Sequence, residues 1–207
     1  MKLRVLTAGV SAAGMLFLAA CGPKTTIYDP ASTETEIRQA GHISSEEIRQ
    51  VARDAVRSAM TNAKFQAFLR KYKKEKNDPD AIPVLKLDLA VNDTNDPDLN
   101  VSELTDLLNE YLINEGKVDV IMAEGAGRTQ AIANSRKLED DDNFDQNTVA
   151  QRNTLQAARL VLRPKVISNE VRDGNRRAVV RTFVMDMADI KTGLIMWKFS
   201  KQLAFMK

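Results

Sequence analysis

The sequence predicts an α/β domain of the α+β-like kind: one domain, with helices flanking a mixed sheet of four to five strands that ends in an antiparallel meander. Three observations carry this. Amphipathic helical periods dominate the first half, short alternating runs interrupt them, and the C-terminal quarter becomes three runs rich in Val, Ile, Phe and Met, joined by turn signals. No internal repeat is visible, and the length beyond the N-terminal segments suffices for one self-sustaining core.

The elements follow in order. Ser44-Ser45-Glu46-Glu47 has the capping-box pattern, and Ile48, Val51, Ala52, Ala55 and Ala59 follow at helical spacing, so a helix is expected to about Thr61. Phe65, Phe68, Leu69 and Tyr72 predict a second helix that ends in the basic run 71–76. Lysines there suit the C-terminal end of the helix dipole, and a solvated helix end is a better reading than a membrane or nucleic-acid patch. Pro79 and Pro83 bracket a break. Leu85, Leu87, Leu89 and Val91 alternate and predict one strand over 84–91 with these four side chains on one face. After the polar loop 92–100, Val101, Leu104, Leu107, Leu108, Tyr111 and Leu112 predict a helix stopped by Gly116. A short strand over 118–122, a helical segment over 128–137, an acidic loop over 139–145 and a helix over 148–158, opened by Thr148 and Gln151, are expected next. Strands over 160–171, 176–188 and 194–205, separated by Asp173-Gly174-Asn175 and Asp189-Ile190-Lys191-Thr192-Gly193, should pair consecutively as hairpins.

The N-terminus has its own logic. Lys2 and Arg4 precede a short apolar stretch that ends at Leu18-Ala19-Ala20-Cys21. Its length suits a secretory signal rather than a membrane span, which needs about 20 apolar residues. The four residues resemble the lipobox of bacterial lipoproteins. That resemblance implies cleavage before Cys21, a diacylglycerol on its thiol and acylation, palmitate included, of the new N-terminus. An ordinary signal with an incidental cysteine is the alternative. In lipoproteins of diderm bacteria, Gly22 instead of aspartate favours the outer membrane, facing the periplasm. The domain plan is therefore a signal peptide over 1–20, a lipidated N-terminus and flexible tether over 21–43, and a globular domain over 44–207. The tether spans about 25 Å as a coil and at most about 70 Å extended.

Chemistry is sparse. Loss of the signal removes two cations and brings the net charge of +2 close to zero, which argues against nucleic-acid binding. Cys21 is the single cysteine, so its lipidation excludes disulfides, thiolate metal sites and cysteine nucleophiles. His42, the one histidine, lies at the edge of the tether, and no nucleophile–base set can be assembled around it. Gly125-Ala126-Gly127 lacks the third glycine of a dinucleotide turn, with Gln130 in its place, and reads as a flexible strand-to-helix corner. Asp141, Asn143 and Asp145 match the first ligand positions of a calcium loop. Gln146 stands where glycine is required and Arg152 where the bidentate glutamate belongs, so a solvated acidic loop is the better reading. Trp197 shares a strand face with Ile195 and Phe199 and reads as core. Neither metal nor cofactor is expected, and the chain reads as a non-enzyme.

Three features in this order resemble the LpoB-like lipoproteins, outer-membrane activators of penicillin-binding proteins. They are the lipobox with its tether, then a strand ending in Asn92-Asp93-Thr94 with a helix and the Gly116-Lys117-Val118 strand after it. The third is the ending Asp189-Ile190-Lys191-Thr192-Gly193-Leu194-Ile195-Met196-Trp197. The resemblance runs from about Ser44 to Phe205. It implies a non-catalytic regulator that binds a class A penicillin-binding protein, a bifunctional peptidoglycan synthase, and stimulates glycan polymerisation and crosslinking. The short, proline-poor tether and a charged insertion around 137–147 depart from the family pattern. A structural or assembly lipoprotein of an envelope or secretion complex is the alternative. For partner binding, exposed polar positions matter most: Asn92, Asp93, Thr94 and Asp96 in the post-strand loop, and Arg172, Arg176 and Arg181 in the meander.

Overall fold

The computed structural model describes residues 43–127, 129–139, 141–173 and 176–206. Cys21, His42 and the signal and tether segments up to residue 42 lie outside the described residues. Helix α1 (Ser45–Thr61) is followed by α2 (Ala63–Lys76), and the two meet at Asn62, whose side chain accepts from the Lys64 and Phe65 amides. The capping box forms as expected: Ser44 Oγ accepts from the Glu47 amide and the Glu47 carboxylate accepts from the Ser44 amide. Such a cap contributes about 1 kcal/mol.

The sheet has six strands: β1 (Val84–Leu87), β2 (Val91–Asp93), β3 (Asp119–Val120), β4 (Leu160–Asp173), β5 (Arg176–Asp189) and β6 (Leu194–Met206). Its order is β3-β1-β4-β5-β6, with β2 also on β4. β1 runs parallel to β3 and β4, whereas β4, β5 and β6 form the expected antiparallel meander. Helix α3 (Val101–Asn114), capped by Asn100 Oδ1 on the Glu103 amide, lies between β2 and β3 and ends at Gly116 with φ +63°. The α1 face Ile48, Val51, Ala52, Ala55, Val56 and Ala59 joins Leu104, Leu108 and Leu112 of α3 over Leu85, Leu162, Phe183, Met185, Met187 and Trp197 of the sheet. The Trp197 indole N–H donates to Ser58 Oγ at 3.2 Å, which ties β6 to α1 and places Trp197 in the core.

Four expectations require correction. The run 84–91 is two strands. Leu87 pairs with Leu162 and Val91 with Lys165, so three residues on one side face two on the other. Pro164 lies in that interval with no N–H to donate, and the Ala90 amide turns instead to Thr105 Oγ1 on α3 at 3.0 Å. The extra residue flips the parity: Ala90 is buried, while Leu89 and Val91 are 64% and 56% exposed. Second, a shift between Met187 and Ala188 leaves Met196 bulged, so Ile195 faces solvent instead of sharing the Trp197 face. Third, the strand expected over 118–122 is cut to Asp119–Val120. Fourth, no helix forms over 148–158. Thr148 Oγ1 donates back to Asp145 O, Asn153 adopts φ +63°, and Val149 is the one buried apolar residue the segment offers. The preceding segment holds a single turn (Gly125–Gly127) and α4 (Ala131–Arg136).

Gly125 explains its own motif. With φ +65°, a Cβ there would lie 2.2 Å from the Leu87 carbonyl oxygen, so the glycine lets this turn press on β1. In the acidic loop, Asp141 Oδ1 accepts from the amide and side-chain NH₂ of Asn143, and Asp145 Oδ1 does the same for Asn147. Its carboxylates thus fold the loop itself, and no group of metal-ligating side chains assembles among the described residues.

Candidate functional site

The loop after β2 builds itself from short-range hydrogen bonds. Asn92 Oδ1 accepts from the Thr94 amide at 3.1 Å and from Thr94 Oγ1 at 2.6 Å, while Asn92 Nδ2 donates to Asp96 O at 2.8 Å. Thr94 Oγ1 also accepts from the Asp96 amide, and Asp96 Oδ1 accepts from the Asp98 amide, both at 3.1 Å. Asn92 and Thr94 are therefore scaffold. Asp93 and Asn95, which alternate with them, are exposed.

Two of the positions expected to be exposed are not. Asp96 is 8% and Arg181 5% exposed, and the Arg181 guanidinium bonds Asp96 Oδ2. Strand parity is the reason. Arg181 continues the inward line of Phe183, Met185 and Met187 and sits opposite Ser168. The loop 94–98 covers that position, and a carboxylate supplies the partner a buried guanidinium needs. That signal was present in the spacing: Arg181 has the same parity as three core residues.

Arg172 and Arg176 are placed by backbone register alone. Arg172 pairs with Arg177 and Arg176 with Asp173 at the distal tip of the β4–β5 hairpin. Asn92 pairs with Val166, six residues earlier along β4, which is about 20 Å away. Thus the structure brings Arg181 into the post-β2 loop and leaves Arg172 and Arg176 at a separate tip. It also exposes two apolar side chains beside Asp93, namely Leu89 and Val91, that the alternation puts on one face with Leu85 and Leu87. The surface there combines an apolar pair with a carboxylate and an amide, the composition of a small protein-contact patch.

At the opposite end of the meander the Asp189–Gly193 turn is closed by its own bonds. Asp189 accepts from the Lys191 amide and Thr192 Oγ1, each at 3.0 Å, the Gly193 amide donates to Asp189 O at 2.8 Å, and Gly193 takes φ +70°. Arg159 forks onto the same carboxylate at 2.6 and 3.1 Å, reaches Glu75 of α2, and lies over the rings of Phe68 and Tyr72. Burial pushes the Asp189 carboxyl up, but the bonds from Arg159, Thr192 and the Lys191 amide outweigh it and hold the group below the ordinary carboxylate range. The Lys191 bond, assisted by Arg159, likewise holds Glu75 low. The Asp-x-x-Thr-Gly part of the ending is thus a structural turn with a built-in docking point for Arg159.

The model of the family described as peptidoglycan-synthase activator LpoB matches residues 47–203. Among solved structures, the C-terminal domain of LpoB from Escherichia coli is similar at 21% identity, covering 76% of this chain and 98% of that one with a TM-score of 0.44. The corresponding domain from Salmonella enterica aligns at 19% identity over 75% and 94%, with a TM-score of 0.38. Lipoprotein GNA1162 from Neisseria meningitidis aligns at 12% over 60% and 84%, with a TM-score of 0.33. No curated protein matches the sequence. The structural likenesses are loose, and membership rests on the sequence match, which starts in the first turn of α1 and ends in β6: the chain belongs to the LpoB family of peptidoglycan-synthase activators.

Proposed function

We propose that this protein is an outer-membrane lipoprotein, acylated at Cys21 and facing the periplasm, that binds a class A penicillin-binding protein and raises its glycan polymerisation and crosslinking rates without chemistry of its own. The observation that carries the reading is the family match, which runs from the first turn of α1 into β6. The family is one of regulators of peptidoglycan synthases rather than of catalysts.

Contact is assigned to the post-β2 loop, with Asp93 as its displayed charge, Leu89 and Val91 as its apolar pair, and Asn92, Thr94 and the Asp96–Arg181 pair holding its shape. Arg172 and Arg176 at the hairpin tip form a second contact. The short tether keeps the domain near its bilayer, so the synthase must extend toward it.

The test is a purified glycan-polymerisation assay with each class A synthase of the host, with and without the acylated protein. Direct binding with a faster rate is expected. No rate change with any of them, together with stable association of the protein into a different envelope complex, overturns the reading in favour of an assembly role.

A further inference from the structure

α2 carries six cations, Lys64, Arg70, Lys71, Lys73, Lys74 and Lys76, against one carboxylate, Glu75. That carboxylate is already occupied. Lys191 Nζ bonds it at 2.7 Å and Arg159 at 3.3 Å, both from outside the helix. Lys76 lies over the Tyr72 ring, and the other five cations are exposed and form no ion pair among the described residues. The helical repeat puts Lys64, Arg70, Lys71 and Lys74 within about a third of the circumference, around Ala67. Arg70, Lys71, Lys73 and Lys74 line a shallow groove of about 740 Å³ with Ala67 and Pro79. Asp78 is the one acid on its rim, and its Oδ1 accepts from the Asp80 amide.

From this face we infer that α2 docks on an anionic phospholipid surface. A solvated helix end accounts for lysines in the last turn, but not for a charged stripe that begins at Lys64, nor for the removal of its one carboxylate into an outside ion-pair network. The large apolar residues of α2 (Phe65, Phe68, Leu69 and Tyr72) face inward, and the exposed stripe has alanine as its sole apolar residue. A protein interface draws its energy from a buried aromatic or aliphatic anchor, which this face lacks. Adsorption to an anionic bilayer needs no anchor: each Lys or Arg near the surface contributes electrostatically, and the contributions accumulate. The rest of the chain is net acidic, since α2 alone carries more positive charge than the +2 of the whole sequence, and this makes the face directional. The nearness of a bilayer rests on the Cys21 anchor proposed above, and docking there would fix the orientation in which a tethered domain presents its opposite end.

The test uses residues 21–207 with Cys21→Ser, which lack the apolar leader and cannot be acylated, and vesicle flotation without any synthase, so its outcome is independent of the activator reading. Vesicles of phosphatidylcholine with about 30% phosphatidylglycerol should bind about tenfold or more tightly than pure phosphatidylcholine, and raising salt from about 0.05 to about 0.5 M should abolish the difference. Lys71→Glu with Lys74→Glu should weaken binding about tenfold or more, and the same charge change at Lys165 and Lys198 on the open face of the sheet should have a far smaller effect. Thermal unfolding checks that each variant is folded. Equal binding to neutral vesicles, or equal losses in the two double variants, overturns the inference.

Discussion

Two arginine–aspartate pairs brace the meander, one at its Asp189–Gly193 end and one under the post-β2 loop, and the pairs do different work. At one end, Arg159 and Asp189 are held by backbone as well as side chain. The Arg159 amide donates to Val84 O, its carbonyl accepts from Ile190, and its guanidinium joins α2 to the β5–β6 turn. Under the post-β2 loop, Arg181 and Asp96 join that loop to a strand whose backbone ladder stands without them. The first pair belongs to the closure of the sheet, whereas the second shapes a loop on its surface. A binding loop benefits from the second arrangement, because it can be opened or remodelled without unravelling the strands beneath.

The contrast is sharpest in stability. Asp189→Ala leaves a largely buried guanidinium with a weakened partner set and frees the turn, and should cost about 3 kcal/mol, roughly 10 °C in Tm, by thermal unfolding. Asp96→Ala should cost less, about 2 kcal/mol, because the loop 94–98 can relax and admit water to Arg181. It should also speed hydrogen exchange at the Thr94, Asp98 and Leu99 amides while the β5 amides stay protected. Equal losses in the two variants, or faster exchange throughout β5, would break the distinction.

Most of the closed end was legible in the sequence, and half of the open one. The meander, the capping box, the α3 period and the Asp189–Gly193 turn follow from local patterns that the tertiary fold does not override. Leu89 and Val91 escape a sequence reading because the alternation in 84–91 is sound on its own. What breaks it is Pro164, distant in sequence, which withholds a ladder donor from the neighbouring strand. Ile195 is turned outward by a bulge that leaves no mark in composition. Arg181 is legible in the same way: its charge suggests solvent, but its parity with Phe183 points inward. The Arg159 network joins residues separated by up to 116 positions, and no local pattern announces such a contact.

Acid should act through the closed end. Asp189 has its folded pKa lowered, so its contribution is complete above the unfolded carboxylate range and fades as pH falls below about 4. Glu75 and Asp54, the latter held low first by its bond to Lys201, shift in the same direction. Asp189→Asn keeps the shape but cannot titrate. Urea unfolding at pH 6 and at about pH 3 should show the wild type losing about 1 kcal/mol more than this variant. A parallel decline would detach the Arg159–Asp189 pair from the acid sensitivity of the fold.

The smallest effect on stability belongs to Asp93, and it is the one that bears on function. Its neighbours Asn92 and Thr94 bond each other, and Asp93 lies between them with its carboxylate exposed. Asp93→Arg should therefore change unfolding by less than about 0.5 kcal/mol, as surface substitutions away from caps and cores do. If the open end is the docking surface, reversing its displayed charge should weaken synthase binding by about tenfold, from lost attraction and added repulsion together. Thr94→Val, which alters the scaffold but not the charge, should weaken binding only as far as it loosens the loop in hydrogen exchange. An Asp93→Arg protein that binds and stimulates as well as the wild type would move the contact to the Arg172–Arg176 tip, and the pinned loop would then be a structural cover for Arg181.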